Sequence, residues 1–231
     1  MLADVYSCAV LGLQGALVSI EVDIGQGLPN LTVVGLPDTA VQEAKERVRA
    51  AIRNSGCVFP NKRVTVNMAP ADLRKAGPSY DLPIAVGILL ASGQVEVPAE
   101  RSVFLGELGL DGSVRHTNGV LPMVALAAEK GFSAVYVPAE DASEAALLGS
   151  VRVMPVRNLG ELAAHLRGEN PIRSFVANGR PVAAAPPPVY ADMSEIKGQE
   201  HVKRALEIAA TGHHNVFMGG TQHPPIFLLP S

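Results

Sequence analysis

The chain has 231 residues and a formal net charge of −3, with 48% hydrophobic and 18% charged residues, the balance of a globular chain with enough apolar mass to bury a core. Such a charge gives no global attraction to a polyanion, and 4% aromatics with no Trp argue against a platform that stacks unpaired bases. No run of about 18 apolar residues offers a membrane span.

In chain order, Met1-Leu2-Ala3-Asp4 lacks the charged start and apolar run of a secretory leader, so a cytoplasmic setting is expected. Residues 3–11 and 16–23 are rich in β-branched residues and read as strands, separated by the turn Gly12-Leu13-Gln14-Gly15. Cys8 and Cys57 have no CxxC spacing and suggest neither a disulfide framework nor a zinc site. Residues 25–30 form a turn and 31–35 a short strand. Pro37-Asp38-Thr39 opens a helix with Thr39 and Gln42 at capping-box spacing. Val41, Ala44, Val48, Ala51 and Ile52 then recur on one face, and Gly56 ends the helix. Residues 62–68 alternate as a strand, and 70–78 form a loop leading to Gly77-Pro78-Ser79.

From Leu82 to Ala91 nearly every residue is apolar, the mark of a helix buried all round. Pro83 falls in its first turn, where a missing N–H costs little, and Ser79 is placed to cap it. The amino end of such a helix carries unpaired N–H groups and a positive dipole. A nucleophile or a bound anion fits there as well as a capping serine does, and the capping role is the expected one.

Residues 93–101 connect to a strand over 102–108, and Gly109-Leu110-Asp111-Gly112 turns the chain into 113–116 as a hairpin. An Ala-rich helix over 119–130 ends at Gly131. A buried strand at 134–137, a short helix at 141–148, a strand at 151–156 and a helix at 159–166 follow, closed by Gly168. This alternation predicts an α/β fold, mixed with α+β character, and with parallel pairing. Prolines and an alanine run mark 169–191 as a semi-extended linker. A second beginning follows over 192–231, helical at 193–211 and strand-like at Asn215-Val216-Phe217-Met218. No internal repeat is present.

Between Thr39 and Lys75 stand eight basic residues (Lys45, Arg47, Arg49, Arg53, Lys62, Arg63, Arg74, Lys75) against Glu43, Glu46 and Asp72. Lys45, Arg49 and Arg53, spaced by four, line one helix face. They form either a solvated face with ion pairs such as Glu43 with Arg47 or, with Lys62 and Arg63, a sequence-independent phosphate-contacting patch. The six histidines include no pair at metal-ligand spacing on a helix, so no metal is expected.

Tyr6-Ser7-Cys8-Ala9-Val10-Leu11-Gly12-Leu13, Val33-Val34-Gly35-Leu36-Pro37-Asp38, Ala44-Lys45-Glu46-Arg47-Val48-Arg49-Ala50-Ala51-Ile52 and Asn67-Met68-Ala69-Pro70-Ala71-Asp72-Leu73, with Lys75 and Gly77, resemble the amino-terminal domain of the ComM/YifB family of Mg-chelatase-like AAA+ ATPases. The resemblance implies a Lon-protease-like, ribosomal-protein-like two-layer βα domain over 1–168. After the linker, Asp192-Met193-Ser194-Glu195-Ile196-Lys197-Gly198-Gln199-Glu200 resembles the opening of the ChlI-like AAA+ motor. It also implies a hexamer, ATP and Mg in the intact family, and a part in DNA branch migration during natural transformation.

Two departures qualify this. Ser79 matches the Lon nucleophile, but the base position falls on Leu121, which accepts no proton, and nothing in the spacing of Lys75 or Lys130 aims either at Ser79. No lysine follows Lys203, and Pro224 and Pro225 remove N–H groups that a phosphate loop would need. Ile196 and Gly198 would then be a remnant of an adenine-binding edge, with no cofactor bound by this chain. The expected role is a non-proteolytic domain cut just before the motor's active site. It would contact DNA weakly, without sequence preference, through Lys45, Arg49, Arg53, Lys62 and Arg63, within a homo-oligomer and away from membranes. The alternatives are a purely structural hexamer-packing domain and a Lon-type serine peptidase using Ser79.

Overall fold

Alternating apolar residues build a long antiparallel hairpin, β1 (Leu2–Leu11) and β2 (Gln14–Gly25), in register from Leu2 opposite Asp23 to Leu11 opposite Gln14. The computed structural model describes residues 2–11, 14–73, 75, 77–96, 98, 100–176, 193–194 and 196–218. The chain divides into two units, Met1–Asn178 and Gly179–Ser231. In the first, the hairpin is followed by β3 (Asn30–Val34), α1 (Thr39–Asn54), β4 (Arg63–Ala69), a 3-10 turn at Pro78–Tyr80 and α2 (Asp81–Ala91). Then come β5 (Ser102–Phe104), β6 (Glu107–Leu108), β7 (Val114–Arg115), α3 (Val120–Glu129), β8 (Ala134–Pro138), α4 (Ala142–Ala145), β9 (Arg152–Val156) and α5 (Leu159–Leu166).

Seven strands form one sheet in the order β3-β4-β2-β1-β5-β8-β9, and β6 pairs with β7 as a separate ribbon. The hairpin and β4 pair antiparallel, while β3 with β4 and all pairings from β1 to β9 are parallel. This is the α/β fold expected. On one face, Val18, Ile20, Val22, Val64, Val66 and Met68 pack with buried residues of α1, α2 and α5. On the other, Cys8, Val103, Val135 and Val153 pack with α3 and α4. Alternation along β4 leaves Thr65 and Asn67 only half-buried on that second face. The sheet is thus two layers deep at its β3–β4 side and three deep across β5, β8 and β9.

Several expected details shift, each for a local reason. Gln14 and Gly15 belong to β2 rather than to a turn, and Gly12 and Leu13 lie outside the described residues. The cap of α1 is Asp38, not Thr39: extended at φ −77°, it accepts Val41 N at 2.9 Å through Oδ1. The strand expected over 102–108 breaks at Leu105 and Gly106: Leu105 N still donates to Tyr136 O of β8 at 2.9 Å, but Gly106 turns to the start of α2. Leu82 N donates to Gly106 O at 3.0 Å, and Gly106 N donates to Ser79 O at 3.1 Å. Gly106 sits at φ +158°, and a Cβ there would lie 2.7 Å from Val114 Cγ1. The helix expected over 141–148 is one short α segment between two 3-10 turns.

Beyond Gly168 the chain has no regular structure up to Val176, yet it stays attached: Phe175 N donates to Val153 O at 2.7 Å and Ile172 N to His165 Nδ1 at 3.0 Å. In the second unit the helix is α6 (Glu200–Gly212), shorter than 193–211 at its start. Asn215 to Met218 form no strand. Val216, Phe217 and Met218 are exposed, with no partner strand among the described residues. Residues 177–192 and 219–231, which carry most of the expected linker and the phosphate-loop position, lie outside the described residues. No described helix is long and apolar enough to cross a membrane.

Candidate functional site

The turn at Gly77-Pro78-Ser79-Tyr80 is held from three sides. Gly77, at φ +90°, takes a backbone conformation that other residues adopt only with strain. Its N–H donates to Asp38 Oδ2 at 3.1 Å, so one carboxylate caps α1 and fixes the turn. Gly106 binds the turn's carbonyl at Ser79, as described above. One residue past the turn, Asp81 is fully buried and accepts Arg47 Nε at 2.6 Å, a second Arg47 nitrogen at 3.0 Å and Leu108 N at 3.3 Å. Burial pushes the Asp81 carboxyl up, while Arg47 draws it down. The same bond raises the Arg47 guanidinium.

Ser79 does not cap α2. It lies inside the 3-10 turn, 7% exposed, and the position preceding α2 is Tyr80, which makes no side-chain cap. Its hydroxyl makes no hydrogen bond among the described residues. Ser79 lines a cavity of about 240 Å³, whose wall also includes Tyr80, Glu107, His116, Thr117 and Asn118.

The far wall is built by the chain leaving β7. His116 Nδ1 lies 2.5 Å from Asp141 Oδ1, and His116 Nε2 lies 3.2 Å from Asn118 Oδ1. Asp141 is 4% exposed; its other oxygen accepts Thr117 N at 2.9 Å, while Glu140 Oε1 accepts His116 N at 2.6 Å. Hydrogen bonds to Asp141 and then Asn118 raise His116 above its ordinary value of 6.5. Thr117 Oγ1 is buried with no hydrogen-bond partner among the described residues, an arrangement that normally carries a penalty of about 1–3 kcal/mol.

Leu121, expected at the base position, is half-buried in the first turn of α3 and does not line this cavity; its N–H donates to Glu144 Oε1 at 3.4 Å. Neither lysine serves instead. Lys75 is buried with its Nζ on the Pro70 carbonyl, and burial lowers its amine. Lys130 lies 3.9 Å from Glu129. His116 and Asp141 were not singled out in the sequence. They stand far from Ser79 along the chain, and only the parallel placement of β8 beside β5 brings them together. No motif connects them.

The expected nucleic-acid-contacting residues stand in different surroundings. Arg49 lies over the Phe59 ring at 5.1 Å, its Nε buried without a hydrogen-bond partner among the described residues. Arg53 and Lys62 are exposed and Lys45 half-buried, and none of the three makes an ion pair among the described residues. Arg63 opens β4 on the face away from α1, where Asn67 donates to Glu21 at 2.8 Å. Of the remaining basic residues, Arg47 is committed to Asp81, with Glu43 at 4.0 Å as expected from their spacing, and Lys75 points inward. Arg74 lies outside the described residues. Ile196 and Gly198 precede α6 in the second unit. Among the described residues no group of three or more His, Cys, Asp or Glu is placed to hold a metal.

Residues 20–141 match the family described as subunit ChlI of Mg-chelatase, and residues 192–224 match magnesium chelatase, subunit ChlI. The chain is 40% identical over 222 residues to competence protein ComM of Haemophilus influenzae, covering 95% of this chain and 43% of that protein. It is 42% identical over 222 residues to YifB of Salmonella typhimurium, covering 95% and 42%. A shorter match, 35% identical over 69 residues, links 30% of the chain to 14% of DNA repair protein RadA of Mycobacterium tuberculosis. The chain therefore spans less than half the length of the curated relatives it matches.

Proposed function

The chain belongs to the ComM/YifB family of Mg-chelatase-like AAA+ proteins, and on that premise we propose that its first unit is a DNA-contacting module in DNA processing. The observation that carries this reading is the match to a protein named for competence across 95% of the chain. The shorter match to a protein named for DNA repair supports it. In this reading residues 1–168 form the Lon-like domain, 169–191 link it onward, and the motor begins at 192, with ATP and Mg belonging to the intact motor. The working assembly is a homo-hexamer in the cytoplasm that carries out branch migration of DNA.

The contact surface is the exposed flank of α1 and the loop entering β4. Lys45 and Arg53 stand eight residues apart, about 12 Å along a helix axis, and Lys62 follows in that loop. Arg49, held on Phe59, positions that flank more than it contacts a ligand. Each neutralised phosphate releases counterions, so log K falls with log salt by roughly 0.9 per contact. Three contacts predict a slope of about −3.

Fluorescence anisotropy of a labelled duplex, titrated with the full chain across salt, tests this. Joint reversal of Lys45, Arg53 and Lys62 to Glu is expected to flatten the slope. Affinity that ignores salt, or survives the reversal, would overturn the reading. In that event a hexamer seen by light scattering would favour subunit packing as the domain's role.

A further inference from the structure

We propose that Ser79, His116 and Asp141 form a nucleophilic serine site in which a histidine, not a lysine, serves as base, and that the site acts on the ester or activated acyl bond of a small substrate. The assignment goes beyond the DNA-contacting role and shares no residue with it.

Three independent features support it. Ser79 is fixed at its backbone by Asp38 through Gly77 and by Gly106, and its hydroxyl is not used as a cap or bonded elsewhere among the described residues. A serine so held and unused can serve chemistry, provided that a base stands within reach. His116 borders the same cavity, and its Nδ1 is taken by a carboxylate that is 4% exposed. This is the second half of a triad: the carboxylate fixes the ring's tautomer and stabilises the imidazolium that results, and Nε2, 3.2 Å from Asn118 Oδ1, takes the proton once that contact gives way to Ser79. Thr117, whose Oγ1 is buried and without a partner among the described residues, lines the same cavity. A polar atom left unpaired in a cavity wall is satisfied when a ligand oxygen or N–H enters.

A site of this composition supports acyl transfer. Ser79 Oγ attacks the acyl carbon, forming a C–O bond as its proton passes to His116 Nε2. The bond to the leaving alcohol breaks, and His116 returns the proton to that oxygen. Water then attacks the acyl-serine with the same proton route reversed, which regenerates Ser79. Asp141 touches no reacting atom and is a positioning residue. A cavity of about 240 Å³ falls below the range of about 300–1,000 Å³ that takes drug-sized ligands. It suits a short acyl chain.

The charged groups around His116 fix the pH response. Asp141 and Glu140 bond to it directly, and Glu107, paired with Arg115 at 3.7 Å, lines the same cavity. Their field favours the imidazolium, so the base is free only above the ordinary histidine range, and reactivity rises with pH through that raised value.

The test uses a fluorophosphonate on the full chain, read by intact and peptide mass spectrometry, with circular dichroism confirming the fold of each variant. Ser79 Oγ displaces fluoride from phosphorus and the proton leaves through His116. The expected result is one adduct on Ser79, abolished by Ser79→Ala and slowed about 100-fold or more by His116→Gln. In Asp141→Asn the midpoint of the pH–rate profile moves down toward the ordinary histidine value, a shift that loss of folded protein does not produce. No adduct on the folded wild-type chain at pH above that midpoint overturns the proposal. So does an adduct on another residue, or Ser79 labelling that is unchanged in His116→Gln.

Discussion

α1 and α2 lie side by side on the same face of the sheet, yet they meet solvent in opposite ways. Every residue of α2 from Asp81 to Ala91 is buried. α1 buries only the stripe Val41, Ala44, Val48, Ala51 and Ile52. A helix enclosed on all sides can offer chemistry only at its ends, and α2 does so at the Ser79 turn. A helix enclosed on one side offers its flank, and α1 does so through Lys45 and Arg53. The Arg47–Asp81 bond couples the two, so the exposed helix supplies the charge that the enclosed one cannot bury unaided.

The sharpest way to break the comparison is at that bond. Arg47→Ala leaves Asp81 buried without its partner and is expected to destabilise the fold by about 3–5 kcal/mol, measured by urea unfolding. With Arg47 gone, the Asp81 carboxyl rises further above the unfolded value of 3.8. The folded variant then holds a proton that the unfolded chain has released. Stability of the variant therefore falls as pH rises from that value through the raised one, and mild acid lessens the loss.

Asp38→Ala comes next, with an expected loss of about 1–2 kcal/mol because both the α1 cap and the tether to Gly77 disappear. Ser79→Ala, by contrast, is expected to cost well below about 1 kcal/mol, since removing a hydroxyl that bonds to nothing among the described residues leaves no partner unsatisfied. The ratio of these two losses in thermal unfolding separates a serine held for structure from one held for another purpose. The smallest effect belongs to the flank: Lys45→Glu with Arg53→Glu should leave stability within about 0.5 kcal/mol while altering salt-dependent DNA binding.

How each helix could be read from sequence follows from the same contrast. The stripe on α1 was legible because its 3.6-residue period is a property of the chain. The burial of α2 was legible from its unbroken apolar run. Direction was not. The spacing of Lys45, Arg49 and Arg53 says that they share a helix face, but not that Phe59 holds Arg49 or that Arg63 faces across the sheet. The spacing of Thr39 and Gln42 suggested a capping box, while Asp38, one residue earlier, made both the cap and the tether. The apolar run at 102–108 concealed a break, because hydrogen bonds to Leu82 and Ser79 are invisible locally. The His116–Asp141 pair had no local signature at all, since β8 has to lie beside β5 before the two meet.

The hairpin register has a further consequence. β1 joins β2 over ten residue pairs, and β8 joins β9 over five, but β1 joins β5 at only one, Tyr6 opposite Val103. At that seam the ladder contributes little cohesion, and the two halves of the sheet adhere through the side chains of α2 and α3 that straddle it. Local opening events in a native protein follow such boundaries. β5, β8 and β9 can therefore open as one cooperative block without unzipping the hairpin. Ser79 lies at the border of that block, and His116 and Asp141 are carried by the connections leaving it, so the same breathing motion that exposes backbone amides would also widen the cavity between them.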